Sequence, residues 1–278
     1  MPAFATPEPI TATLTTAGAR VRVAASHRSD TVVLVEPINS ADKSDVRVAE
    51  NTEVDFSAGE LSIRTTKSGD KTGSVAITVE LPIGSRLVLN TAWTDVRADG
   101  LLGDCELNTA SGQVRLDHIA ALRANLSTGG VEIGHVDGSA VIEGGAAGVR
   151  IGEVTGLVRY QGSTGKIWIG HAWSDVEFGS ARGSVDVDRA EGSVIANAGD
   201  CPIRIGRMTR GQAELTNASG GIEVGISEGA VASVDARSTK GVVRSSLPAQ
   251  DTSGEFDNEV RVYARTRLDD IVIHPAAV

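Results

Sequence analysis

Three histidines and a glutamate recur at one phase of the chain: His118, His135, Glu153 and His171. Side chains at one phase of stacked strands lie ~4.8 Å apart. Imidazoles so spaced, with a carboxylate next in line, could hold Zn²⁺ or a similar ion, or act as a pH-sensitive stripe. The same phase continues as Arg189 and Arg207 and begins at Gly100. Cations nearby discourage a metal, so the expectation is a polar turn position with no resident metal and no cofactor. Should an ion bind, these four residues are the candidates.

Other groups invite the same question. Asp186 and Asp188 are two apart, which puts both on one face of a strand, and Asp175 and Glu177 repeat the arrangement. Glycoside hydrolysis needs two carboxylates ~5–9.5 Å apart across a cleft. Clefts on coiled β structures come from long inserted loops, and these repeats carry almost no insertions, so no catalytic residue is assigned and the chain is expected not to be an enzyme. Neither Cys105 nor Cys201, nor any serine, lies in a nucleophile motif. The Gly-rich turns lack the Lys-Ser/Thr ending of a phosphate loop. Trp168 is predicted to point outward, with Trp173 at the next turn. Tryptophan is enriched at binding hot spots, so both are candidate protein-interaction residues; the plainer reading has them covering a corner of the chain.

The elements that position these residues come from a repeat. Val96, Val114, Val131, Val149, Ile167, Val185, Ile203, Ile222 and Val242 each follow a Gly-rich turn, about 18 residues apart. So regular a beat marks a solenoid, in which each repeat is one coil stacked on the last. Two residues after these anchors stand Leu116, Ile133, Ile151, Ile169, Val187, Ile205 and Val224. Seven before them stand Leu89, Leu107, Ala124, Ile142, Tyr160, Phe178, Ala196 and Leu215. Spacing of two keeps residues on one face of a strand, so these columns are the predicted core. The column one after the anchor points outward, as Arg97, Arg115, Glu132, Arg150, Trp168, Asp186, Arg204 and Glu223. Its alternating charges help to set coil register.

The expected fold is therefore all-β: a single-stranded β-solenoid (β-helix, right-handed winding favoured) of about nine ~18-residue coils with irregular β caps at both ends. The expected division is an N-terminal β cap over 1–85, the solenoid over 86–250 and a C-terminal β cap over 251–278. Within the first region, strands are predicted near Ile10–Leu14, Arg20–Ala24, Thr31–Glu36, Leu61–Arg64 and Ser74–Glu80, a short helix within Ala41–Thr52, and a turn at Lys67–Gly73. The last strands, Glu259–Arg265 and Ile271–His274, are expected to close the far end.

The segment Val75–Leu89 with Pro7-Glu8-Pro9-Ile10, Glu80-Leu81-Pro82-Ile83-Gly84-Ser85, Asn108–Val114 (NTASGQV) and Val149-Arg-Ile-Gly-Glu-Val154 resembles a bacterial family of β-strand-repeat proteins called "putative adhesins", whose central domain has no assigned function. The resemblance implies a single-stranded β-helix, and it brings no catalytic motif and no cofactor.

Charge narrows the function. The chain has 26 Lys and Arg against 36 Asp and Glu, a formal charge of −10. That argues against binding nucleic acid or an anionic membrane, which requires a basic face. No apolar run reaches the ~20 residues of a spanning helix, so membrane insertion is not expected. The first ten residues do not read as a secretory signal. The two cysteines fall at different phases of coils far apart in sequence and are expected to be free thiols, as in a reducing cytosol. The reading that results is a cytoplasmic, non-catalytic scaffold or protein-interaction module with an unknown protein partner. Its alternatives are a self-associating structural protein, dimeric or filament-forming, and a carbohydrate-binding or carbohydrate-active β-helix protein.

Overall fold

The computed structural model describes residues 2–65, 73–247 and 258–276. Most of the predicted Lys67–Gly73 turn lies outside them. The chain forms two compact units, Met1–Asp137 and Gly138–Val278. Among the described residues, the elements of both are strands apart from one helix.

In the first unit the strand Gln113–Leu126 lies between Asp95–Thr109 and Gly130–Val136, parallel to both. Val114 faces Val96 and Val131, and Ala124 faces Leu107. These are the predicted columns, in register. Alternation puts the valines and leucines into the core and the arginines and glutamates into water, and the parallel ladder satisfies the backbone. One step departs from the beat. A register shift between Leu116 and His118 sets Leu101, not Gly100, opposite His118.

The N-terminal region joins the stack in an unexpected order. Thr11–Ala17 lies between Glu60–Arg64 and Arg86–Ala92, with Leu14 facing Ile63 on one side and Leu89 on the other. Ala19–Ser26 likewise lies between Val75–Pro82 and the start of Asp95–Thr109, with Val21 facing both Ile77 and Val96. The first coil of the sequence is thus an inner coil. The chain passes outward to make the next one, then returns to the opposite side of the first. Antiparallel strands finish this end: Asp30–Pro37 on Val75–Pro82, Ala3–Ala5 on Asp30–Pro37, and Glu53–Ser57 on Glu60–Arg64. Covering a strand edge in this way blocks further pairing. The helix Lys43–Glu50 falls inside the predicted segment and is capped by Asp42, whose carboxylate accepts from the Ser44 N–H at 2.7 Å.

In the second unit Val149, Ile167, Val185, Ile203 and Ile222 stack in one column. Ile142, Tyr160, Phe178, Ala196 and Leu215 stack in another. The rings of Tyr160 and Phe178 are parallel within 8°, with centroids 5.1 Å apart. This end is also interleaved. Glu259–Thr266 lies between Gly211–Asn217 and Val231–Ser238, and Ile271–Pro275 between Ile222–Ile226 and Val243–Ser245. The anchor column therefore runs from Ile222 to Ile271 to Val243. Val242, expected as its last member, stands outside the column and is 52% exposed. The physical reason is apolar content. Val260, Val262, Ala264, Ile271 and Ile273 are almost fully buried, which requires cover on both sides, whereas the Val231–Ser245 coil leaves Val234 and Val243 exposed.

Candidate functional site

The histidine column resolves into two clusters, one in each unit. In the first unit His118 and His135 sit directly opposite one another on neighbouring parallel strands. Their rings meet edge to face, with centroids 4.6 Å apart and planes at 75°. Both aim Nε2 at one atom, Asp137 Oδ1, at 2.8 Å from His118 and 3.0 Å from His135. The hydrogen bond from His118 chiefly holds the Asp137 carboxyl below its ordinary range, with the charge of the two imidazoles adding to it. Asp137 was not among the predicted site residues. Its signal was the His-x-Asp spacing, which is legible only when the phase two residues beyond the histidines is read together with theirs.

In the second unit Glu153 faces His171 across adjacent strands. Trp173 lies against the His171 ring, with centroids 4.2 Å apart, and donates its indole N–H to Glu153 Oε1 at 2.6 Å. His171 Nε2 is 3.4 Å from Glu191 Oε1, an ion-pair distance rather than a hydrogen bond. Glu191 also accepts from Arg189 Nε at 2.7 Å and from Thr209 Oγ1 at 2.5 Å. Burial opposes ionisation of Glu191, but these donors outweigh it and lower its pKa. A carboxylate already neutralised by an arginine is a poor metal ligand, so this cluster reads as a structural network.

Trp168 is half-buried, with the Arg150 guanidinium 4.3 Å above its ring. The ladder continues through Asp186 and Arg204 to Glu223. Arg204 Nη1 donates to Asp186 at 2.7 Å and to Asp188 at 3.1 Å. The second carboxylate pair is also engaged: Asp175 accepts the Ser193 N–H at 2.7 Å, and Glu177 accepts from Arg159 at 2.7 Å. The Arg159 hydrogen bond lowers the Glu177 pKa, the opposite of what a general acid needs. These carboxylates tie coils together. Cys105 and Cys201 are free and buried, and burial pushes their thiols up to about 12 and about 11. Such thiols are poor nucleophiles.

One residue that sequence reasoning passed over is Trp93. It is 77% exposed and holds a left-handed backbone at φ 49°, with its N–H bonded to Ser111 Oγ at 3.2 Å. A bulky residue at positive φ is uncommon and costs of order 1–3 kcal/mol. It follows Ala92, which with Ala17 and Ala110 lines a groove of about 410 Å³ flanked by Asn90, Asn108 and Asn125. Asn108 Nδ2 donates to Asn90 Oδ1 at 3.0 Å, an amide ladder along the coils.

Parallel coils bearing outward ladders define a β-solenoid repeat protein. The chain belongs to the Toastrack DUF4097 family, whose model matches residues 11–267. The resemblance read from Glu80–Ser85 and Val149–Val154 is borne out at that level. Solved structures similar to it include two from bacteria. One is a "putative cell adhesion protein" from Clostridium sporogenes, with 12% identity, 99% of this chain and 98% of that chain covered, and a TM-score of 0.24. The other is a "putative adhesin" from Bacteroides fragilis, with 11% identity, 98% and 95% covered, and a TM-score of 0.36. Likenesses this slight carry no argument about function. No curated protein matches the chain. Among the described residues no helix is long and apolar enough to cross a membrane.

Proposed function

We propose that this protein is a non-catalytic scaffold that presents coil faces to a protein partner. The observation that carries the reading is the placement of tryptophan. The chain has three, and all three stand on the surface: Trp93 is 77% exposed, Trp173 is 46% exposed, and Trp168 is half-buried beneath Arg150. Tryptophan is highly buried on average and is the residue most enriched at binding hot spots. A fold that fills its core with Val, Ile and Leu, sets Trp168 beneath Arg150 and Trp173 against His171, and still leaves Trp93 77% exposed keeps aromatic surface available to a partner. Free, buried thiols support a reducing, cytoplasmic setting for it.

The test is a pull-down with the wild-type chain beside a Trp93→Ala/Trp168→Ala/Trp173→Ala variant. A partner recovered by the first and lost by the second supports the reading; equal recovery overturns it. Light scattering against concentration on the same samples detects self-association through the same residues. A second reading, carbohydrate binding, is favoured by the amide-flanked groove beside Trp93, because amides and an exposed ring suit sugar hydroxyls and faces. Glycan binding that disappears in Asn108→Ala and Trp93→Ala would establish it.

A further inference from the structure

We propose that His118, His135 and Asp137 form a binding site for a divalent late first-row transition ion, with Zn²⁺ the expected occupant. Two imidazoles and a carboxylate are a ligand set for such ions. The three ligand atoms lie within 4.8 Å of one another. Both histidine Nε2 atoms are within 3.0 Å of the same carboxylate oxygen.

The fold pre-positions the set. The strands carrying His118 and His135 pair in register at these residues. The Asp137 N–H donates to the Ile119 carbonyl at 3.0 Å, which pins the third ligand to the coil that carries the first. Bonds of ~2.0–2.1 Å in a tetrahedral ion place ligand atoms about 3.3 Å apart. The present contacts need to open by only a few tenths of an ångström, a movement an exposed aspartate can make. As the site stands, each imidazole presents an Nε2–H to the carboxylate. On binding, each Nε2 gives up its proton and its lone pair takes the ion, Nδ1 carrying the one ring proton that remains, with the carboxylate as the third ligand.

The side chains are 37%, 30% and 52% exposed, so the remaining coordination position faces solvent. The site is therefore suited to an exchangeable ion or to one shared with an external ligand, rather than to a closed structural centre. The cluster in the second unit shows the contrast. There Arg189 holds Glu191, and Trp173 occupies the space beside His171.

Untagged protein titrated with Co²⁺ should take up one equivalent with the visible d–d bands of a nitrogen–oxygen site, and Zn²⁺ should displace it. His118→Gln, His135→Gln and Asp137→Asn should each weaken binding at least about tenfold, and His171→Gln should leave it unchanged. Affinity unaltered in the double variant His118→Gln/His135→Gln overturns the proposal, as does wild-type protein that takes up no ion. A readout that needs no variant is the imidazole ¹⁵N spectrum of the wild-type chain. With Zn²⁺ bound, two histidines should carry a single ring proton, on Nδ1, and spectra unchanged by Zn²⁺ would also reject the site.

Discussion

Replacing Leu14 with alanine tests the interleaved order of the first unit. Leu14 is 0% exposed and is enclosed by Ile63 on one side and Leu89 on the other. The change removes three carbons, worth roughly 2.4 kcal/mol at ~0.8 kcal/mol each. The cavity adds to this, because strands pinned on both sides by ladder hydrogen bonds cannot collapse into it; Leu→Ala substitutions span about 2–5 kcal/mol. A loss of about 3–4 kcal/mol is expected. At ~2–4 °C per kcal/mol, the melting temperature should fall by roughly 6–16 °C. Val234→Ala is the control. It lies in the outermost coil of the second unit, is 38% exposed, and should cost less than about 1 kcal/mol. Thermal melts followed by circular dichroism give both numbers. Amide exchange places the change, because stacked repeats open from exposed ends. A Leu14→Ala loss no larger than that of Val234→Ala, or fast exchange across Thr11–Ala17 in the wild type, would mean that the first coil is terminal and the interleaving wrong.

Gly112 has φ 121°, and a Cβ there would overlap the Thr94 carbonyl oxygen of the neighbouring coil, so Gly112→Ala should destabilise by at least about 2 kcal/mol in urea titrations. The depressed Glu191 carboxyl contributes stability that is complete above its unfolded value near 4.5 and is lost as pH falls through the lower folded value. Glu191→Gln should therefore lower stability at neutral pH and flatten its decline in acid, and parallel pH profiles for the two proteins would refute this. Cys105 and Cys201, with thiols near 12 and 11, should react with a disulfide reagent at pH 8 only after unfolding. Stoichiometric labelling of the native chain on the mixing timescale would contradict their burial.

Much of the fold was legible because a stack makes equivalent residues identical in environment. Val114 lies over Val96, and Ile167 over Val149, where the 18-residue beat puts them. What a beat cannot express is the order in which coils are laid down. Leu14 and Leu89 belong to the same column whether the first coil is inner or outer. Val242 fits the spacing but not the burial, and Ile271 takes the place because an apolar coil gains by being covered twice. The register shift that sets Leu101 opposite His118 is equally silent in the spacing. At the candidate site the histidine pair was visible as a column, but its carboxylate was not, since Asp137 lies just past the strand. Trp93 was missed because it falls in a turn between the columns, and its left-handed backbone and exposure mark it only in the structure.

The direct stacking of consecutive coils is tested most simply by cross-linking. Arg159 and Glu177 face one another on adjacent strands of the second unit, about 4.8 Å apart, inside the ~4.4–6.8 Å that a disulfide spans. In a Cys105→Ala/Cys201→Ala background, Arg159→Cys/Glu177→Cys should close a disulfide under mild oxidation without loss of structure. Arg159→Cys/Ile195→Cys, two coils apart at roughly 9.6 Å, should not. Closure of the second pair and not the first would contradict the stack.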